Sequence, residues 1–96
     1  MKLLPGKEDV YEDRHNKIWP ELSSLLKESG IEEYHIFLDK DTGVLFAFQR
    51  LGENNQVKQL PEHPIMKKWW AHMQDLMETH VDHSPVVKQL ENVFTL

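Results

Sequence analysis

The order of elements predicts an α+β fold of the ferredoxin-like (split βαβ) kind: short strand, helix, two paired strands, helix, closing strand. Three observations carry that expectation. Apolar residues recur at helical spacing over Lys7–Ser29 and again from about Ile65 to His80. Two β-rich runs, Tyr34–Leu38 and Val44–Leu51, are joined by the turn Asp39-Lys-Asp-Thr-Gly43. Both faces of the second run are apolar: Val44, Phe46 and Phe48 point one way, Leu45, Ala47 and Leu51 the other. Two main helices cover one face of such an antiparallel sheet. The other face needs a second protomer, so a homodimer packed sheet against sheet is expected.

Each element has a local reason. Met1-Lys-Leu-Leu4 is a short apolar lead, stopped by Pro5-Gly6, and reads as the end of a first strand. The first helical stretch carries Tyr11, Ile18, Leu22 and Leu25 on its stripe. Glu8 and Asp9 stand in its first turn, where the helix dipole favours negative charge. Gly30 follows as the left-handed residue that ends it. Pro20 lies inside the pattern and divides or kinks the helix near Trp19, because it lacks an amide donor and crowds the preceding turn. After the hairpin, Gly52–Pro64 is polar and broken, with one helical turn expected at Gln56–Leu60. The stripe of the second helix is Ile65, Met66, Trp69, Trp70, Met73, Leu76 and Met77, and Asp82-His-Ser-Pro85 ends it. Val86–Leu90 reads as a further helical turn, and Val93-Phe-Thr-Leu96 as the closing strand.

Composition excludes several function classes. Ninety-six residues make a single domain, 1–96. Eleven Lys and Arg against sixteen Asp and Glu leave a formal charge of −5. That argues against nucleic-acid binding, which needs a basic patch to displace counterions, and against a polybasic membrane anchor. No apolar run approaches the roughly 18–20 residues of a membrane span. Met1–Gly6 lacks the apolar core of a signal peptide, so a cytoplasmic location is expected. The absence of cysteine removes thiol catalysis, disulfide scaffolds and thiolate zinc sites together.

Chemistry-bearing residues concentrate at two places. His15 lies one helical turn after Tyr11 and three residues before Ile18, on the stripe that faces the sheet. It is either a hydrogen-bonded core histidine or a general acid–base, whose ordinary pKa near 6.5 already suits neutral pH. Trp69 and Trp70 project about 100° apart on one helix, so they do not share one environment. Both are core or interface residues, or at least one lines a cleft beside Tyr11 and Tyr34 as a wall for the apolar side of a ring. His80, Asp82 and His83 form a local group at a turn. It reads as a surface cluster, since zinc takes three or four well-placed ligands. The charged run Glu8–Arg14 reads as a solvated helix face.

The segment Tyr11-Glu-Asp-Arg-His-Asn-Lys-Ile-Trp-Pro-Glu-Leu22 closely resembles the signature of the L-rhamnose mutarotase family. The resemblance continues through Tyr34–Lys40, Phe46-Ala47, Lys68-Trp69-Trp70, Asp82-His-Ser-Pro-Val86 and Val93-Phe94. It implies a dimeric α/β-barrel, ferredoxin-like in each protomer, that interconverts the α and β anomers of L-rhamnose without metal or cofactor. It also implies that His15 is the proton donor and that Tyr11, Tyr34, Trp69 and Trp70 bind the sugar. Family members usually carry several more residues before the position of Met1, so a shortened first strand is expected. His83 stands where some relatives have asparagine.

The residues suit that chemistry independently. Opening an aldopyranose removes the anomeric hydroxyl proton and protonates the ring oxygen; the aldehyde then rotates and recloses. A histidine, phenol hydroxyls and aromatic walls suffice. Two rivals share the architecture. A cofactor-independent or haem-degrading monooxygenase would wrap the same side chains around a larger, flatter ligand, and a Soret shift on haem addition would mark it. A non-catalytic dimeric binding module would leave anomer exchange at the buffer rate.

Overall fold

Proline sets the first division of the chain. In the computed structural model, which describes residues 1–96, the helical stretch splits into α1 (Glu8–Asn16) and α2 (Pro20–Glu28). Pro20 occupies the first turn of α2, where its missing N–H is not needed. Trp19 before it is extended (φ −61°, ψ 132°), as the proline ring demands of its predecessor. The helix over Lys7–Ser29 is therefore two short helices meeting at an angle. Gly30 closes α2 with φ +100°, and a Cβ there would lie 2.6 Å from the Asn55 Cβ, so no other residue fits.

The hairpin forms as expected, from β1 (Ile31–Asp39) and β2 (Val44–Leu51), antiparallel, with Leu38 opposite Leu45 and Phe37 opposite Phe46. A bulge between Ile31 and Glu33 shifts the register at the far end. Two single-bridge segments extend the sheet. Lys2 pairs with Val44 and Leu3 with Met77, both antiparallel. Leu3 N–H donates to the Gly43 carbonyl at 2.8 Å, and Leu4 N–H to that of Leu76 at 2.9 Å. The spatial order is thus the Met77 segment, the N-terminal lead, β2, β1. This is the order of a split βαβ sheet, with a short first strand.

The fourth segment is not the one expected. The helix predicted to reach His80 stops as α3 (Pro64–Met73). Leu76 N–H bonds back to the Met73 carbonyl at 3.0 Å, tightening the last turn, and the chain leaves to run beside Lys2–Leu4. Leu76 and Met77 are buried there as edge residues. Their spacing from Met73 fits a helical stripe equally well, which is why periodicity over-extended the helix. Val93–Leu96 forms no strand, and Val86–Leu90 no helical turn; both are exposed. The turn expected at Gln56–Leu60 is a 3-10 helix over Val57–Glu62.

One core holds the layers together: Leu3, Tyr11, Leu22, Leu45, Trp69, Met73, Leu76 and Met77. All three helices lie on one sheet face. The opposite face leaves Phe37 61%, Phe48 52% and Phe46 47% exposed, with the His35 ring stacked beside Phe37 and Phe48. That is the uncovered apolar face the sequence predicts.

Leu22 is 1% exposed and sits where α2 meets the rest of the core. Leu22→Ala is expected to cost about 2–5 kcal/mol of unfolding free energy, the range for a buried leucine truncated in a packed interior. Urea denaturation of the two proteins measures it.

Candidate active site

α1 is polar on most of its surface and buries a single residue, Tyr11. Tyr11 and His15, four residues apart, share its inner face. Their rings lie 4.3 Å apart, tilted by 32°. Across from them β1 presents Tyr34, Ile36 and Leu38, the alternate residues of one strand face, and β2 adds Leu45. Glu8, Glu12 and Asn16 complete the walls of a cavity of about 290 Å³. That is near the lower limit of small-molecule sites, about 300 Å³. A ligand of monosaccharide size suits it better than a large flat one.

A larger hollow of about 550 Å³ lies between the end of α2, the 3-10 helix and the start of α3. Its walls are mostly polar side chains such as Gln56, Lys58, Gln59 and Glu62, and no tyrosine or tryptophan reaches it. His63 stands at that hollow with its Nδ1 accepting from the Ile65 amide, whereas Tyr11, His15 and Tyr34 converge in the smaller cavity.

The backbone fixes the protonation pattern of His15. Its Nδ1 lies 3.0 Å from the Tyr11 carbonyl oxygen. A carbonyl only accepts, so Nδ1 carries the hydrogen, and in the neutral ring Nε2 is left with a free lone pair. Burial pushes the imidazole pKa below its ordinary 6.5, with the bond to the Tyr11 carbonyl opposing in part. The ring is neutral at pH 7. Burial, helped by the neighbouring Tyr34, raises the Tyr11 phenol above its ordinary value. Tyr34 is 41% exposed, yet desolvation at the cavity wall raises its phenol too, against an opposing hydrogen bond with Gln49. Both phenols keep their hydrogens. One base and two weak acids thus face one small cavity.

The tryptophans divide. Trp69 is 6% exposed and sets its ring edge-on to His15 at 5.5 Å. Trp19 packs edge-on against Trp69 at 5.1 Å, and the His72 ring lies beside both. Trp70 is half-buried and packs against the core. Neither Trp69 nor Trp70 lines the 290 Å³ cavity; Trp69 backs the imidazole from behind. Tyr11, His15 and Tyr34 come together as expected.

Comparison with known proteins fits this geometry. A family model described as L-rhamnose mutarotase matches residues 1–96. The chain belongs to the L-rhamnose mutarotase family. A relative named L-rhamnose mutarotase from Flavobacterium johnsoniae is 52% identical over 96 residues, covering 100% of this chain and 90% of the relative. Another from Agrobacterium fabrum matches with the same figures. The crystal structure of an L-rhamnose mutarotase from Formosa agariphila superposes with a TM-score of 0.92 at 45% identity, covering 100% of this chain and 92% of that one.

Three features of this mutarotase-family site escape a reading of sequence. Glu8 and Glu12 line the cavity instead of facing only solvent. Their spacing from Tyr11 and His15 puts all four on one helix face, a signal present in the sequence. Trp19 joins the aromatic group behind His15 because Pro20 turns the chain there. Arg14, placed on a solvated face, forms a forked ion pair with Asp75 at 2.8 and 3.2 Å. His80–Ser84 is a surface turn in which Asp82 accepts from the Ser84 amide and hydroxyl.

The lowered His15 pKa links the site to stability. Between the folded value and the unfolded 6.5, the unfolded chain binds more protons, so stability rises with pH across that window. It is fully present above pH 6.5 and declines as pH falls toward the folded pKa. Urea unfolding at about pH 7.5 and about pH 5.5 is expected to show this loss in the native protein and a smaller one in His15→Asn.

Proposed function

We infer that this protein interconverts the α and β anomers of L-rhamnose, as an isomerase of the carbohydrate epimerase kind. The observation that carries the mechanism is the 3.0 Å contact of His15 Nδ1 with the Tyr11 carbonyl, which assigns the ring hydrogen to Nδ1 and leaves Nε2 free, in a small cavity shared with two phenols. Nε2 takes the proton of the anomeric hydroxyl. The bond between C1 and the ring oxygen breaks, and a phenol hydrogen from Tyr11 or Tyr34 neutralises the departing alkoxide. The open aldehyde turns about C1–C2. On reclosure the phenolate recovers its proton from the attacking hydroxyl, and the imidazolium returns its own to the aldehyde oxygen. His15 is therefore acceptor first and donor second, and no net proton or electron is exchanged. Ile36, Leu38 and Leu45 supply apolar wall for a sugar that carries a methyl group. Trp69 binds indirectly, by fixing the imidazole plane. Trp70, which the family resemblance makes a sugar contact, would act from the core side in one protomer.

The reaction is tested by NMR saturation transfer between the two anomers of L-rhamnose, with and without protein. His15→Asn keeps a polar group of similar size but exchanges no proton near neutral pH. It is expected to stay folded and lose about 10²-fold or more in exchange rate, the usual share of general acid–base catalysis. A folded variant working at the native rate would remove His15 from the mechanism.

The assembly we propose is a homodimer in the cytoplasm, with the Phe37–Phe46–Phe48 face covered by the same face of a second copy. What supports it is the exposure of those rings on a sheet whose helices all lie on the other side. Sedimentation across micromolar concentrations is expected to give twice the 11.4 kDa chain mass. Phe48→Glu is expected to shift the protein toward monomer.

A further inference from the structure

We propose that Arg14 is a positioning residue for the proton-transferring imidazole: its guanidinium clamps the end of α1 to the end of α3 and thereby holds His15 against Trp69. The proposal rests on the anomer-exchange reading above and deepens it. Arg14 Nη1 donates to the His72 carbonyl at 2.6 Å and to Asp75 Oδ1 at 2.8 Å, while Nη2 donates to Asp75 Oδ2 at 3.2 Å. Arg14 and Asp75 are 61 residues apart in sequence.

The His72 carbonyl lies in the last turn of α3. In a continuing helix it would accept from Leu76 N–H, but that amide bonds Met73 instead. The carbonyl is thus an orphan at the negative end of the helix dipole, a place that favours a cation. One planar guanidinium satisfies it and grips a carboxylate at the same time. A lysine ammonium, lacking that fork, does not reproduce the arrangement.

Geometry makes the clamp matter to His15. Arg14 and His15 are adjacent on α1 and project about 100° apart, so one grips α3 while the other faces the cavity. Trp69 and His72 are one turn apart on α3, and the rings of both lie against Trp19. Fixing the two helix ends together fixes the edge-on contact of His15 with Trp69. The burial of Tyr11 and the packing of Trp19 on Trp69 contribute, and no other side-chain hydrogen bond joins α1 to α3. α1 has nine residues, one buried side chain and no side-chain N-cap, and helices this short are marginal alone. None of the ion pairs Lys17 with Asp13, Lys67 with Glu62 and Arg50 with Glu32 and Glu33 joins α1 to another element.

The test uses Asp75→Asn, Arg14→Gln and, as a control, Lys17→Gln, which removes an exposed pair within α1 alone. Exchange kinetics are taken per folded molecule, and the His15 imidazole is titrated by NMR. The carboxylate and a positional effect act in opposite directions. Losing the negative charge of Asp75 by itself lowers the imidazole pKa. Loosening α1 readmits water and raises it toward 6.5, the ordinary value. The expected result for Asp75→Asn is a raised imidazole pKa and a kcat lower by about tenfold, with KM little changed, since misplacing a catalytic group costs rate more than binding. Arg14→Gln should do the same more strongly, and Lys17→Gln should match the native protein. An imidazole pKa that falls or stays, or an unchanged kcat, overturns the proposal even if the melting temperature drops. Should Arg14→Gln fail to fold, Asp75→Asn decides alone. If the native protein exchanges L-rhamnose no faster than buffer, the anomer reading fails, and the titration of Asp75→Asn, in which charge loss and loosening act oppositely, still decides whether the clamp positions His15.

Discussion

A continuous helix from Glu8 to Glu28 would need an amide hydrogen at position 20, where proline has none, and the face that carries Tyr11 and His15 depends on the break that follows. With Trp19 forced into an extended conformation, α1 and α2 become independent rods. α2 can then bury Leu22 and Leu25 as an ordinary amphipathic helix. α1, much more polar, lays Tyr11 and His15 over the sheet and leaves its remaining surface to solvent. The break also swings Trp19 inward, where its ring meets Trp69 and His72. The proline thus builds the wall behind the imidazole as well as the hinge beside it.

Much of this is written in local sequence. Alternation along Tyr34–Leu38 and Val44–Leu51 identifies both strands and sorts their faces, since a strand's period of two leaves no freedom once one face is buried. The pairing of Tyr11 with His15 is likewise legible, because it depends only on helical spacing. What is not legible depends on contacts between distant segments. Met73, Leu76 and Met77 satisfy a helix stripe, and only the hydrogen bonds of Leu4 and Glu78 across to the other segment show that the last two belong to an edge strand. Arg14 looks like any charged residue on an exposed face until Asp75 arrives from the far end of α3. The stretches read as a helical turn (Val86–Leu90) and a closing strand (Val93–Leu96) are exposed, and beyond the Val86 amide on the Glu78 carbonyl no hydrogen bond ties them to the chain before Val86.

The site's electrostatics follow from what surrounds it. Burial works against charge, so it holds the imidazole neutral and the phenols protonated, without an ion pair inside the cavity. The only carboxylates on its walls, Glu8 and Glu12, stand at its rim, and Glu12 is exposed. A neutral, hydrogen-bonding interior matches a neutral sugar. It would be a poor receptacle for a phosphorylated one, which would meet two negative carboxylates at the rim and no lysine or arginine among the cavity walls.

Anomer exchange runs in both directions over nearly equal ground states, so a catalyst for it must serve attack on either face of the aldehyde. A group that takes a proton on opening gives one back on reclosure, so both directions use the same two protonation states. The Tyr11 carbonyl suits both states: it accepts from Nδ1 in the neutral ring and in the imidazolium alike. In the exchange proposed above, Nε2 is then the sole site to gain and lose the proton, with no ring flip between steps. The same bond ties the imidazole to the backbone of its own helix. Whatever holds α1 in place therefore also sets where Nε2 points, and proton transfer becomes a property of how two helix ends are joined.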